Sequence, residues 1–171
     1  LLQRTTTLEQ IYAIENDPNF RGGDYYDGDS PNAGLALARM ISHKTFISLN
    51  TLESRAEDEL RGPDDHFSWY RIEHPVESYM LHQGRKFVER FDANTYLRIL
   101  EAWQRWDILA ETGVESLESA LVNCQHQNYL VFSISTDVCF YPDEQSKLAE
   151  SLKSAGVNCI HITVHSDKGH D

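Results

Sequence analysis

The chain is short of cysteine, of positive charge and of long apolar runs, and each shortage closes a class of function. Its three cysteines, Cys124, Cys139 and Cys159, form no CxxC pair. An odd number without a framework reads as reduced thiols, not as disulfides or a zinc site. Basic side chains number 15 against 27 acidic ones, for a formal charge of −12. Nucleic acids and anionic membrane surfaces call for a basic face, so neither is expected as a partner. An anionic small molecule stays compatible, because Arg85, Lys86 and Arg90 gather locally. No apolar stretch approaches the roughly 20 residues of a membrane-spanning helix, and no signal-peptide pattern opens the chain. The expected setting is the cytoplasm. Eight histidines are present without an HExxH motif. "HITVH" sets His161 and His165 four apart in a segment that reads as a strand, which makes it a weak metal candidate, and no resident metal or cofactor is expected. GxSxG, the turn that presents a nucleophilic serine, does not occur.

What is present suffices for a core. Apolar residues make up 40% of 171, with seven Phe, eight Tyr and three Trp. Residues 1–123 read as helices and polar loops. Thr7 and Gln10 form a candidate capping box for a helix in which Leu8, Ile11 and Tyr12 share a stripe and which Asp17-Pro18 ends. "FRGGDYYDGDSP" is a loop, and Ser30-Pro31 predicts a cap and first turn for the helix "NAGLALARMISHKTF". A short acidic helix, "LESRAEDEL", precedes a loop containing "GPDD". "PVESYMLHQGRKFVERF" then places Val76, Tyr79, Met80, Phe87 and Phe91 near one helical face. Asp92 is a candidate cap for a helix bearing Tyr96, Ile99, Leu100, Trp103 and Trp106, a stripe that reads as core, and "ESLESALVN" predicts one more short helix.

Residues 124–171 have another grammar. "NYLVFSIST" is a continuous β-favouring run, read as a strand buried on both faces. Pro142 opens a helix with Leu148 and Leu152 inward and Gly156 at its C-terminal cap, and "VNCIHITVHS" is a second strand. Strand, helix and strand make a βαβ unit with parallel strands. The fold class is α/β. Two parallel strands alone leave unpaired edges and are marginal, so the reading demands further strands, from another chain or from a longer one of which this is a piece.

Ligands of open parallel sheets gather at the carboxyl ends of the strands. Asp137 follows the first strand and His170 the second, so adjacent parallel strands bring residues 33 apart in sequence to one edge. A carboxylate beside an imidazole Nδ1 fixes the tautomer and leaves Nε2 as a general base, the Asp–His part of a triad. By spacing alone, Asp137 reads more readily as a turn or cap residue and His170 as ordinary loop. Cys139 lacks the context of a nucleophile and reads as packing beneath the loop. Arg39 interrupts an apolar helix face and is either snorkelling to solvent or clamping a carboxylate. Glu77, His82 and Arg85 read as a solvated face.

"NDPNFRGGDYY", "GLALARMISHKTF", "ESYMLHQGRKFVERFDANTYLRIL", "TDVCFYPDEQ" and "SDKGHD" together resemble the homoserine O-acetyltransferases of the alpha/beta-hydrolase superfamily. The resemblance runs over nearly the whole chain but covers only that family's C-terminal half. It implies a helical lid over 1–123, the last two sheet strands over 124–171, and a nucleophilic serine outside the chain, which would then end at a cut. It further implies Asp137 and His170 as triad members, Arg39 as the lid arginine on the homoserine α-carboxylate, and Asp171 as the receiver of the α-ammonium. Phe46 stands where that family often has tyrosine, which removes a hydroxyl near the substrate. Acetyl-CoA would be the co-substrate, homoserine the acceptor, and the lid helices the interface of a homodimer. Succinyl transfer, another alcohol acceptor, and a non-catalytic helical dimerisation fragment are the alternatives.

Overall fold

The computed structural model describes residues 2–58 and 69–170. The end of "LESRAEDEL", the "GPDD" loop and Asp171 lie outside the described residues. The chain divides into two compact units, 1–104 and 105–171.

The first unit is helical. Its elements are α1 (Leu2–Glu15), α2 (Asn32–His43), α3 (Leu49–Asp58), α4 (Pro75–Val88) and α5 (Ala93–Arg105). Ile14, Phe20, Tyr25, Leu35, Ala38, Phe87 and Ala93 form one core, and Ile47, Leu52, Ala56, Tyr79 and Met80 a second. Gly34 lets α2 cross α1 closely, since a Cβ there would stand 2.5 Å from the Ala13 carbonyl oxygen. Three sequence expectations change here. Thr7 does not cap α1, which begins upstream of it; its hydroxyl donates within the helix to the Gln3 carbonyl at 2.8 Å. Ser30 does not cap α2. Pro31 takes the cap position, and buried Asp17, across the loop, accepts from Gly34 N–H at 2.7 Å instead. Leu8 and Tyr12 are exposed, while Gln10 and Ile14 turn inward.

Asp92 does cap α5, accepting from Thr95 N–H at 2.7 Å. The same carboxylate accepts from the Tyr25 hydroxyl at 2.5 Å and, at 3.3 Å, from that of Tyr26. Asn94 closes the clasp through its side-chain amide to the Gly23 carbonyl at 2.9 Å. The glycine-rich loop can follow this path because Gly22 and Gly23 take positive φ, 66° and 95°. Burial opposes ionisation of Asp92, but the Tyr25 and Thr95 hydrogen bonds outweigh it and hold the carboxyl below its ordinary range. His74 and Glu77 form a capping box at the start of α4, so Glu77 caps rather than only facing solvent.

The stripe on and after α5 is core only in part: Tyr96 packs against the first core, edge-on to Phe87. Leu100 is buried, yet Ile99, Trp103 and Trp106 are exposed. Helical spacing identifies a face and leaves open what covers it.

The second unit holds α6 (Ile108–Thr112), α7 (Leu117–Leu121), β1 (Asn128–Ile134), α8 (Pro142–Ser154) and β2 (Asn158–Val164). β1 and β2 are parallel, paired from Asn128↔Asn158 to Ile134↔Val164. Val131 and Cys159 meet Ala149, Leu152 and Ala155 of the α8 segment and Leu121 of α7. Gly156, at φ 78°, ends α8 one residue past the cap, with Val157 N–H bonded to the Leu152 carbonyl and Gly156 N–H to that of Lys153. The expectation of a strand buried on both faces is corrected. Leu130 and Phe132 are each 54% exposed, and Ile160 and Ile162 also face out. Side chains alternate along a strand, and α8 covers one side of this pair. Leu148 likewise sits at the rim of α8, whereas Ala149 and Leu152 are buried. No helix among the described residues is long and apolar enough to cross a membrane.

Candidate active site

β1 ends at Ile134, and the backbone turns at once, Asp137 N–H bonding the Ile134 carbonyl at 3.0 Å. That turn buries the Asp137 side chain at the carboxyl end of the strand. Its two oxygens have separate tasks. Oδ1 accepts from the backbone N–H groups of Cys139 at 2.8 Å and Phe140 at 2.9 Å. Oδ2 lies 2.9 Å from Nδ1 of His170, whose side chain is 25% exposed. The loop that follows β2 therefore delivers His170 to the acid that follows β1, as adjacency of parallel strands requires.

Phe140 completes the arrangement. Its ring meets the His170 imidazole edge-on, centroids 5.2 Å apart at 66°. With Nδ1 turned to Asp137, Nε2 is the nitrogen that would exchange protons with a substrate. This is the geometry of a general base oriented by a carboxylate. Cys139 is buried, and its part in the site is the backbone N–H that steadies Asp137.

Arg39 belongs to the helical unit. Its guanidinium carbon lies 5.0 Å from the ring centroid of Phe46 and 5.2 Å from that of Phe87. The side chain is thus held against two aromatic faces, where the sequence left snorkelling and clamping open. A planar cation stacked by its faces still presents its N–H edge to a carboxylate. Asp171 lies outside the described residues, so its predicted place at the substrate ammonium has no geometry. His161 pairs with a strand neighbour. Its Nε2 lies 2.5 Å from the Ser133 hydroxyl, and no cluster able to hold a metal occurs among the described residues.

Sequence reasoning missed Phe140 and Phe87 as partners of the functional groups. Phe140 carried a usable signal, being three residues beyond an acid already placed at a strand end. Phe87 carried none, since helical spacing marked it only as core.

No protein-family model matches the chain. Curated relatives do. A homoserine O-acetyltransferase of Caulobacter vibrioides is 40% identical over 161 residues, which cover 93% of this chain and 41% of that protein. This chain is a relative of the homoserine O-acyltransferases. It spans well under half the length of the relatives it matches. A homoserine O-succinyltransferase of Nitrosomonas eutropha is 38% identical over 160 residues, 93% of this chain and 42% of that one. Homoserine O-acyltransferases named for different donors therefore align almost equally well. Among solved structures, a homoserine O-acetyltransferase from Bacillus anthracis superposes with a TM-score of 0.80 at 23% identity, covering 98% of this chain and 44% of its own. Esterase E22 gives 0.80 at 18% identity, over 99% and 45%. The fold is thus part of an alpha/beta-hydrolase fold.

Proposed function

We propose that this chain supplies the Asp–His pair and the carboxylate-binding arginine of a homoserine O-acetyltransferase. The observation that carries the reading is the 2.9 Å pairing of His170 Nδ1 with buried Asp137 at the ends of two parallel strands. In this reading the helices of 1–123 form a lid, 124–171 is the last βαβ unit of the hydrolase sheet, and the nucleophilic serine comes from outside these 171 residues.

The reaction is a two-step acyl transfer. His170 Nε2 takes the proton of the serine hydroxyl as its oxygen attacks the acetyl-CoA thioester. The tetrahedral intermediate collapses, and CoA leaves with that proton as the free thiol. Homoserine then binds through its α-carboxylate at Arg39 and its α-ammonium at Asp171. His170 removes the γ-hydroxyl proton as that oxygen attacks the acyl-serine, and returns it to serine as O-acetylhomoserine departs. Asp137 holds the ring and stabilises the imidazolium in both steps. No resident cofactor is needed. The product suits methionine biosynthesis in a reducing cytoplasm, and the helical unit suits a homodimer interface. Succinyl-CoA is the second donor to test, because a relative named for succinyl transfer matches almost as well.

The test is thiol release from each acyl-CoA, with and without homoserine, by the full gene product that carries these residues. Homoserine-dependent release is expected. Release that ignores homoserine would mean hydrolysis and end the transferase reading.

A further inference from the structure

Asp137 and His170 sit on two separate loops, and something must keep those loops in register. Thr136, the residue before Asp137, does so with one hydroxyl. Its Oγ1 donates to the Ser166 carbonyl at 2.8 Å and accepts from Gly169 N–H at 3.1 Å. Gly169 is the residue before His170, is buried, and takes a positive φ of 71°. The chain neighbour of the acid is thereby bonded to the chain neighbour of the base. Ser135 adds a looser second stitch: its hydroxyl donates to the Ser166 carbonyl and accepts from Ser166 N–H, both at 3.3 Å. The ladder itself extends one step further, Ser135 N–H bonding the Val164 carbonyl at 3.0 Å.

We infer that Thr136 is the positioning residue of the pair, fixing the His170 loop so that Nδ1 and not Nε2 meets Asp137. Donor and acceptor on one atom make the hydroxyl irreplaceable by an isosteric methyl. Serine keeps both bonds, while valine keeps the shape and loses both. The inference rests on the Asp–His reading above, and the test separates the two.

The experiment labels the histidines of the full gene product that carries these residues with nitrogen-15 and reads the tautomer of neutral His170 by NMR, assigned through His170→Gln. In the parent the proton is expected on Nδ1. Asp137→Asn must disturb that preference; if it does not, the pair itself is absent and the functional reading falls with it. Given the pair, Thr136→Val is expected to move His170 toward a mixture of both tautomers, with the amide spectrum of α8 unchanged, and Thr136→Ser to keep the parent tautomer. A Thr136→Val spectrum with the parent tautomer would overturn the inference. Should the valine variant fail to fold, Thr136→Ala removes the same hydroxyl and must shift the tautomer likewise. In the full gene product, Thr136→Val should lower kcat by about tenfold with KM for homoserine unmoved, and serine should restore it.

Discussion

The two units hold their functional groups in different ways. In the helical unit, Arg39 is held by side chains, with its guanidinium against the Phe46 and Phe87 rings. In the strand unit, Asp137 is held by backbone, through two loop N–H groups at the end of a ladder. Stacked rings give a graded, forgiving grip, each worth about 0.5–2 kcal/mol. Backbone hydrogen bonds to a buried carboxylate fix position within tenths of an ångström and tolerate little. The contrast fits the parts assigned to them: a substrate clamp can adjust, whereas an acid–base pair cannot.

Four experiments test that contrast. Asp137→Asn in the full gene product should lower turnover by about 10⁴, the tautomer cost of a misdirected histidine. Its melting should hardly change, because asparagine can keep Oδ1 toward Cys139 and Phe140. Near-normal turnover would sink the triad assignment. Next, Leu152→Ala should cost the strand unit about 2–5 kcal/mol in denaturant unfolding, since Leu152 is 1% exposed beneath β1 and β2. Phe87→Leu should raise KM for homoserine by between about 2-fold and 30-fold while leaving CoA release from the acyl donor alone. An equal loss in both half-reactions would show that Arg39 is not a substrate clamp.

The smallest effect concerns pH and belongs to the helical unit. Asp92 has its folded-state pKa lowered from the ordinary value of 3.8. The sign follows from linkage: its contribution is complete above pH 3.8 and is lost as pH falls through the depressed folded value. Acid titration followed by circular dichroism should therefore show a stability loss below that pH, which Asp92→Asn flattens.

The βαβ unit was legible because its punctuation is local. Pro142 can open a helix, Gly156 can close one, and the β-favouring runs on either side have nowhere else to go. Asp137 and His170 were legible through topology, since parallel neighbours must bring both loops to one edge. The errors came where a distant partner decides. Ser30 looked like a cap until Asp17, 17 residues before Gly34, took that bond. Trp103 looked like core because spacing defines a stripe without saying what lies against it. Arg39 could not be resolved from its own helix, because Phe87 sits on another one. Asp171 was named by resemblance alone, which supplies a role and no coordinates.

The division of labour between the Asp137 oxygens bears on how this position drifts through descent. One oxygen shapes the turn, the other orients the histidine, and the two duties are chemically separable. A lineage that abandoned catalysis would still need the turn, so asparagine could settle at 137 without harming the fold. Glutamate could not, because its extra methylene would displace both oxygens together. An aspartate or asparagine at this position in a distant cousin is therefore a record of turn geometry. Only its joint retention with the histidine at 170 is a record of chemistry.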